Sequence, residues 1–296
     1  MHGDVCAVMV TYNPDSSLEQ NIRAILPQVR KLLLVDNQSD STSQAFVAQT
    51  AADLGVEVIW SAKNLGIAGG LNEGIDRALS EAQYAWIALF DQDSLVPTGF
   101  VSAILEAYAA CPLRDEVAAV GASYGHPVYE SRGKWTAERN NFAFRELKTV
   151  MTSGSLVKTS ALATGGNFDQ SLFMDYVDHD FCLRLRRHGF RVIQAGNAVL
   201  AHQLGDPTLH RIFGKEFLSS NHSAGRRYHN ARNRVLVYRR YLWSEPSWVA
   251  ADFFGWFREM AKVALVESDR KKKFSNVARG IWDGLKGGKG GAQTRG

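Results

Sequence analysis

Apolar runs and polar breaks alternate through the first ninety residues. Val5–Thr11 is almost wholly apolar and stops at Tyr12-Asn13-Pro14, which predicts a buried strand and its exit loop. Leu18–Leu26 has helical spacing, and Lys31–Val35 is a second apolar run, stopped by Asp36-Asn37-Gln38-Ser39-Asp40. Ser43–Leu54 predicts a helix with Gly55 as its C-cap. Val56–Trp60 follows as a third strand and Ala68–Ser80 as a helix after a glycine-rich turn. Tyr84–Phe90 is a fourth strand, ending at Asp91-Gln92-Asp93. Short apolar strands alternating with amphipathic helices predict an α/β fold with a twisted, mostly parallel sheet.

Beyond residue 120 the rhythm loosens. Ala122–Lys148 is polar and aromatic and is expected to be an excursion or an edge hairpin. Tyr176–Arg187 reads as a helix, while Arg191–Ile193 and Ala198–Ala201 look extended. From about Phe213 the chain reads as helical and is rich in aromatic and basic residues. The Gly-Gly-Lys-Gly-Gly segment marks a low-complexity tail expected to be disordered. The expected organisation is an α/β domain over residues 1–205, a helical region over 206–283 and a tail over 284–296.

Composition narrows the class. With 296 residues, 22% charged and 45% hydrophobic, the chain is not a disordered, collagen-like or disulfide-stapled protein. Cys6, Cys111 and Cys182 are too few for a disulfide framework and suggest a reducing, cytoplasmic setting. No signal-peptide pattern and no bilayer-length apolar run is read in the sequence. The net charge of +4 conceals an asymmetry: from Gly205 onward 18 Lys and Arg stand against 8 Asp and Glu, leaving the remainder acidic. A basic end suits phosphate-bearing partners or is simply a solvated helical face.

Polar clusters follow three strands: Thr11-Tyr12-Asn13, Asp36-Asn37 and Asp91-Gln92-Asp93. Ligands of open parallel sheets bind outside the carboxyl ends of the strands, so these clusters are expected to line one pocket. Asp91 and Asp93 could share a hard divalent cation, Mg²⁺ or Mn²⁺, with diphosphate oxygens completing its shell. Asn64–Gly74 (N-L-G-I-A-G-G-L-N-E-G) joins a strand to a helix. Its glycines permit either phosphate approach at the helix N-terminus or close helix packing. It is neither a P-loop nor a dinucleotide fingerprint. Asp175, Asp178 and Asp180 cluster where the Tyr176–Arg187 helix begins, and His202 follows an extended apolar segment.

Taken in order, these segments resemble the bacterial inverting nucleotide-sugar glycosyltransferases of the GT-A fold, the family 2 type. The matching pieces are V-T-Y-N (Val10–Asn13), V-D-N-Q-S-D (Val35–Asp40), Asn64–Gly74, D-Q-D, S-G-S-L (Ser153–Leu156) and D-Y-V-D-H-D-F-C-L-R (Asp175–Arg184). A-H-Q-L-G-D and Arg226–Asn233 look most like rhamnosyltransferases that use dTDP-L-rhamnose. The resemblance implies a Rossmann-like GT-A domain. Thr11, Tyr12, Asp36 and Asn64 would hold the nucleoside, with Asn13, Gly69, Asn72 and Gln92 completing the donor pocket. It further implies Asp91 at the ribose and metal, Asp93 and His202 as metal ligands, and Asp178 as the general base. Gly154, Ser155 and Asp180 would face the sugar or acceptor.

The implied reaction is a single displacement. Asp178 activates the acceptor hydroxyl, a divalent metal stabilises the leaving diphosphate, and the anomeric configuration inverts. The expected acceptor is a cell-surface glycan, lipid-linked; nucleic acid is not an expected partner. The aromatic stretch Trp243–Phe257, with Arg270-Lys271-Lys272-Lys273, fits the inner face of an anionic membrane, a helical core or a homo-oligomer contact. Alternatives are a UDP-sugar donor such as UDP-galactofuranose, a nucleotidyltransferase, or a non-catalytic nucleotide-sugar-binding module. The segment Tyr12-Asn13-Pro14-Asp15, where a nucleotidyltransferase has a Gly-rich basic loop, argues against the second of these.

Overall fold

A computed structural model of the chain describes residues 4–125, 142–201, 208–212, 215–219 and 221–287. The apolar runs form β1 (Val5–Thr11), β2 (Lys31–Asp36), β3 (Glu57–Trp60) and β4 (Trp86–Asp91), all paired in parallel. Helices α1 (Leu18–Ile25), α2 (Ser41–Leu54) and α3 (Gly66–Ser80) connect them. Each residue of β1 is buried, as parallel strands covered on both faces must be. Helix α2 is capped at both ends: Asp40 accepts from the Ser43 N–H, and Gly55 takes the left-handed conformation at φ 66°.

The second half of the sheet is mixed. After α4 (Phe100–Ala110) come β5 (Val117–Gly125), β6 (Phe144–Leu147) and β7 (Ser155–Lys158). Then α5 (Thr159–Gly165) and α6 (Val177–Arg187) lead into β8 (Arg191–Ala201). The eight strands run in the order β3-β2-β1-β4-β7-β5-β8-β6, with β7 antiparallel to both β4 and β5. The segment expected to be irregular thus supplies two strands at its ends. The two extended pieces after residue 190 are one strand, whose shifts of register against β5 hid its continuity.

Helix α3 begins at Gly66, two residues before the expected start, so the glycines lie within the helix and form no loop. A Cβ at Gly70 would stand 2.8 Å from Val10 Cγ1, and one at Gly74 would stand 2.3 Å from Val8 Cγ1. These glycines let α3 lie directly on β1. Gly69 is likewise enclosed, with Leu65 against it.

Two compact units divide the chain: Met1–Gln170 with Asp178–His202, and Ser171–Val177 with Gln203–Gly296. The second contains an antiparallel pair, β9 (Thr208–Ile212) and β10 (Lys215–Ser219), where a helix was expected from about Phe213. Helices α7 (Ala224–Tyr241), α8 (Pro246–Val266) and α9 (Arg270–Lys286) follow. Helix α9 carries past the expected tail boundary at Gly284; residues 288–296 lie outside the described residues. Gly280 and Gly284 bring α9 against the α7 backbone, a Cβ at Gly280 falling 2.4 Å from the Tyr228 carbonyl. Buried Arg227 bonds Glu259 (2.7 Å) and Glu267 (2.9 Å), and Lys273 bonds Glu267 (2.9 Å).

The aromatic stretch splits between core and surface. Trp248 is buried edge-on to Tyr176 and Tyr238, and Arg234 lies over Trp256. Phe253, Phe254 and Phe257 remain exposed.

Residues 171–176 are bound by this helical unit. The Asn233 amide donates to the carbonyls of Leu172 (2.6 Å), Met174 (2.7 Å) and Asp175 (3.0 Å). Tyr176 donates to Asp252 (2.6 Å), and Arg226 pairs with Asp175 (3.1 Å). Phe173, Asp175 and Tyr176 all have φ between 57° and 64°, a conformation that costs a non-glycine residue about 1–2 kcal/mol.

Gly74→Ala is expected to destabilise the protein by about 1–3 kcal/mol, the usual cost of overpacking. Denaturant unfolding of Gly74→Ala, Val8→Ala and the double variant checks this. The double variant should be more stable than the sum of the single losses, because shortening Val8 makes room for the new methyl.

Candidate active site

The parallel register brings three polar strand ends side by side. Thr11 is paired with Asp36, and Val10 with Asp91. The strand order reverses direction between β1 and β4, and ligands bind at such a switch point in open α/β sheets.

Behind this edge lies a closed polar layer. Asp36 is fully buried: it accepts from Ser39 N (3.0 Å), Ser39 Oγ (2.5 Å), Gln44 Nε2 (3.3 Å) and Thr11 Oγ1 (3.5 Å). Asn37 accepts from Leu65 N (2.8 Å) and donates to Asn64 Oδ1 (3.2 Å) and Gly66 O (3.0 Å), tying β2 to the start of α3. Asn13 takes a left-handed φ of 46°, donates through its N–H to Ser39 Oγ (2.8 Å) and accepts from Asp40 N (2.8 Å). Among the expected nucleoside contacts, Thr11 and Asp36 therefore sit behind the surface, while Tyr12 is 49% exposed and Asn64 half-buried.

Gln92 joins the two sides of the switch point. Its Oε1 accepts from Tyr12 N (2.7 Å) and its Nε2 donates to Tyr12 O (3.3 Å). Only an amide can both donate and accept in this way, which gives the central position of Asp91-Gln92-Asp93 a reason to be uncharged. Buried Asn21, which sequence reading missed, donates to Gln92 O (2.8 Å). Ser153 Oγ accepts from Asp91 N (3.1 Å) and bonds Ser94 Oγ (2.6 Å), fixing the end of β4.

Asp91 is half-buried, Asp93 exposed and Asp178 half-buried in the first turn of α6. Burial pushes the Tyr124 phenol well above its ordinary range, and Asp91 and Asp178 each push it further. Carboxylates from distant parts of the chain thus act electrostatically on the same half-buried tyrosine, whose hydroxyl donates to Ser153 O. Burial also pushes the Cys182 thiol up to about 12, so it is no nucleophile.

Other expected contacts are placed elsewhere. Asp180 is 2% exposed and its carboxylate faces Arg184 at 3.6 Å. Gly154 has φ 70° and is packed among Leu200, Phe100 and Ala122, and the buried Ser155 hydroxyl donates to Thr152 O (2.7 Å). All three are packed or bonded within the protein. Asn72 forms a two-way pair with the Phe168 backbone, 2.9 Å in each direction. His202 lies outside the described residues.

Asp91 and Asp93 provide oxygen donors of the kind hard divalent cations take. Among the described residues, no group of three or more His, Cys, Asp or Glu side chains gathers into a metal cage.

Residues 6–166 match the family model for glycosyl transferase family 2. The chain belongs to this family. It is a glycosyltransferase. It is 27% identical to the dTDP-rhamnosyl transferase RfbF of Shigella flexneri, over 81% of each chain. It is also 27% identical to the galactofuranosyltransferase GlfT1 of Mycobacterium tuberculosis, over 87% of this chain and 89% of that one. Similar architecture occurs in GalNAc-T7, crystallised with UDP, GalNAc and Mn²⁺ (TM-score 0.59, 11% identity). This chain spans 56% of that structure, with 95% of its own length covered. TarS of S. aureus, residues 1–349, aligns at a TM-score of 0.50 and 11% identity, over 96% of this chain and 92% of that one. The GT-A fold expected from the motifs is thus the fold observed.

In this glycosyltransferase the Asn72 amide is engaged with backbone. Asn72→Ala should lower stability by about 1–3 kcal/mol, since it leaves the buried Phe168 N–H and C=O without partners. Affinity of the folded protein for dTDP should change little. Unchanged stability with lost dTDP affinity, by denaturation and calorimetry, would return Asn72 to the donor pocket.

Proposed function

We propose that the protein is an inverting rhamnosyltransferase that moves L-rhamnose from dTDP-L-rhamnose to a hydroxyl of a lipid-linked cell-surface glycan. The observation that carries the chemistry is the placement of two half-buried carboxylates, Asp91 at the end of β4 and Asp178 in the first turn of α6, both of which act electrostatically on Tyr124. One acid ends a strand of the donor edge and the other opens a helix. The donor assignment rests on the similarity to the dTDP-rhamnosyl transferase of Shigella flexneri and on Arg226–Asn233 and A-H-Q-L-G-D. The similarity to a galactofuranosyltransferase makes a UDP-sugar the second reading.

Tyr12 offers its exposed ring to the pyrimidine, with Asn64 and Asn13 beside it. Asp36, Thr11, Ser39 and Asn37 hold these contacts from behind. Asp91 and Asp93, with His202 as a further candidate, would hold Mg²⁺ or Mn²⁺, which when bound neutralises charge on the diphosphate. Asp178 accepts the proton of the acceptor hydroxyl as its oxygen bonds the anomeric carbon. The bond from that carbon to the diphosphate oxygen breaks, releasing dTDP. Attack opposite the leaving group inverts the anomeric centre. Asp178 suits this role better than Asp180, which is enclosed and ion-paired. Its carboxylate already accepts from His179 N (2.8 Å), which orients it.

Asp178→Asn should reduce transfer by about 10²–10⁴-fold, the range a general base supplies, while dTDP affinity by calorimetry stays near wild type. Near-normal transfer would exclude Asp178 as base. EDTA is expected to abolish transfer and Asp93→Ala to weaken metal-dependent donor binding; full turnover by metal-free protein would remove the metal from the reading. A screen of dTDP- and UDP-sugars decides the donor.

A further inference from the structure

Helix α8 carries two adjoining apolar faces. One side, with Trp248, Val249, Met260 and Val263, is buried. On the other, Phe253, Phe254, Phe257, Ala261, Ala264 and Leu265 share a face by their spacing, and all six are exposed. Phe254 and Phe257 are each 64% exposed and Leu265 68%. An exposed apolar face of this size on a helix that also buries an apolar face calls for a partner that covers it. Helix α9 repeats the pattern: Phe274, Trp282 and Leu285 are exposed, opposite the buried Val277, Gly280 and Gly284.

The charges of these helices are sorted by sign. Asp252 turns to Arg234, Glu259 to Arg227, Glu267 to Arg227 and Lys273, and Asp283 to Tyr228. Meanwhile Arg258, Arg270, Lys271, Lys272 and Lys286 are exposed. Asp252, Glu259, Glu267 and Asp283 are thus engaged inside the helical unit, Asp269 stays exposed at the start of α9, and five cations face outward around the aromatic faces. A second copy would bring the same positive field against itself. A bilayer with anionic headgroups complements both the charge and the apolar face.

We propose that α8 is a membrane-docking helix. Phe253, Phe254, Phe257 and Leu265 enter the boundary between headgroups and acyl chains of an anionic leaflet. Arg258, Lys271 and Lys272 hold lipid phosphates, while the Arg270 guanidinium donates to the Glu267 (3.1 Å) and Ala264 (2.9 Å) carbonyls at the end of α8. Aromatic side chains on a helix lying in the interface plane, flanked by cations, bind in this manner. No helix among the described residues is long and apolar enough to cross a membrane, so the contact is one of lying on the surface. The inference deepens the lipid-linked-acceptor reading, on which its purpose rests, yet its test involves no sugar.

Full-length protein is sedimented with vesicles of phosphatidylcholine alone and of phosphatidylcholine with 30% phosphatidylglycerol, at low and high salt. Wild type should bind the anionic vesicles, and high salt should weaken binding by screening. A triple Phe253→Ser, Phe254→Ser, Phe257→Ser variant and a Lys271→Glu, Lys272→Glu variant should each lose about tenfold or more in partitioning. Because these side chains are exposed, both variants should keep the wild-type circular dichroism, melting temperature and dTDP affinity. Equal binding by the serine variant, or no binding of wild type to anionic vesicles at low salt, overturns the proposal. So does a wild-type dimer that the serine variant converts to monomer without any vesicle binding, since the face is then a contact between copies. Loss of dTDP binding in wild type instead counts against the donor reading and leaves the membrane result standing.

Discussion

In-register parallel pairing of β1 with β2 and β4 is the constraint on which the site depends. It ends Thr11, Asp36 and Asp91 together on one edge, at the place where strand order reverses. Parallel strands of this kind need cover on both faces, and here cover comes at unusually short range. Gly70 and Gly74 seat α3 on Val8 and Val10, and the start of α3 is then held by Asn37. A side chain at either glycine would lift the helix and, with it, the Asn64–Gly66 turn that borders the donor edge.

The polar residues at that edge divide into two layers with different tasks. Asp36, Asn37, Ser39, Asn72 and Ser153 spend their hydrogen bonds on the protein itself. Buried polar groups must be satisfied, and by satisfying one another these residues hold loops that have no regular structure of their own. Tyr12, Asn64, Asp91, Asp93 and Asp178 form the reachable layer. The Gln92 amide clamps Tyr12 to the end of β4, so the two sides of the strand-order reversal are held together.

The helical unit applies the same economy to a strained loop. Three non-glycine residues with positive φ would not persist in residues 173–176 without compensation. Asn233, Arg226 and Asp252 supply it from the helices. The chain leaves that loop at Val177, and Asp178 follows directly in sequence. The Arg226–Asn233 segment, prominent in the sequence but without an evident task there, thus has a structural one.

The strand runs, the Gly55 cap of α2, the alternation of strand and helix and the strand-end positions of Asp36 and Asp91 were all legible in the sequence. These features are local: a period of two or of 3.6, a glycine after a helix, a polar break after an apolar run. What remained hidden depends on residues far apart in the chain. The antiparallel insertion of β7, the continuity of β8 and the membership of residues 171–177 in the helical unit are set by long-range pairing. So are the contacts that turned Asn72, Asp180, Gly154 and Ser155 inward, since a polar residue type does not reveal whether its partner is a ligand or a backbone amide 96 residues away. Tyr124 and Asn21 carried no signal at all, because neither lies in a motif. The sequence by itself determined which residue types stand at the strand ends; burial and hydrogen bonding, which only the tertiary structure decides, sorted them into those engaged within the protein and those left reachable.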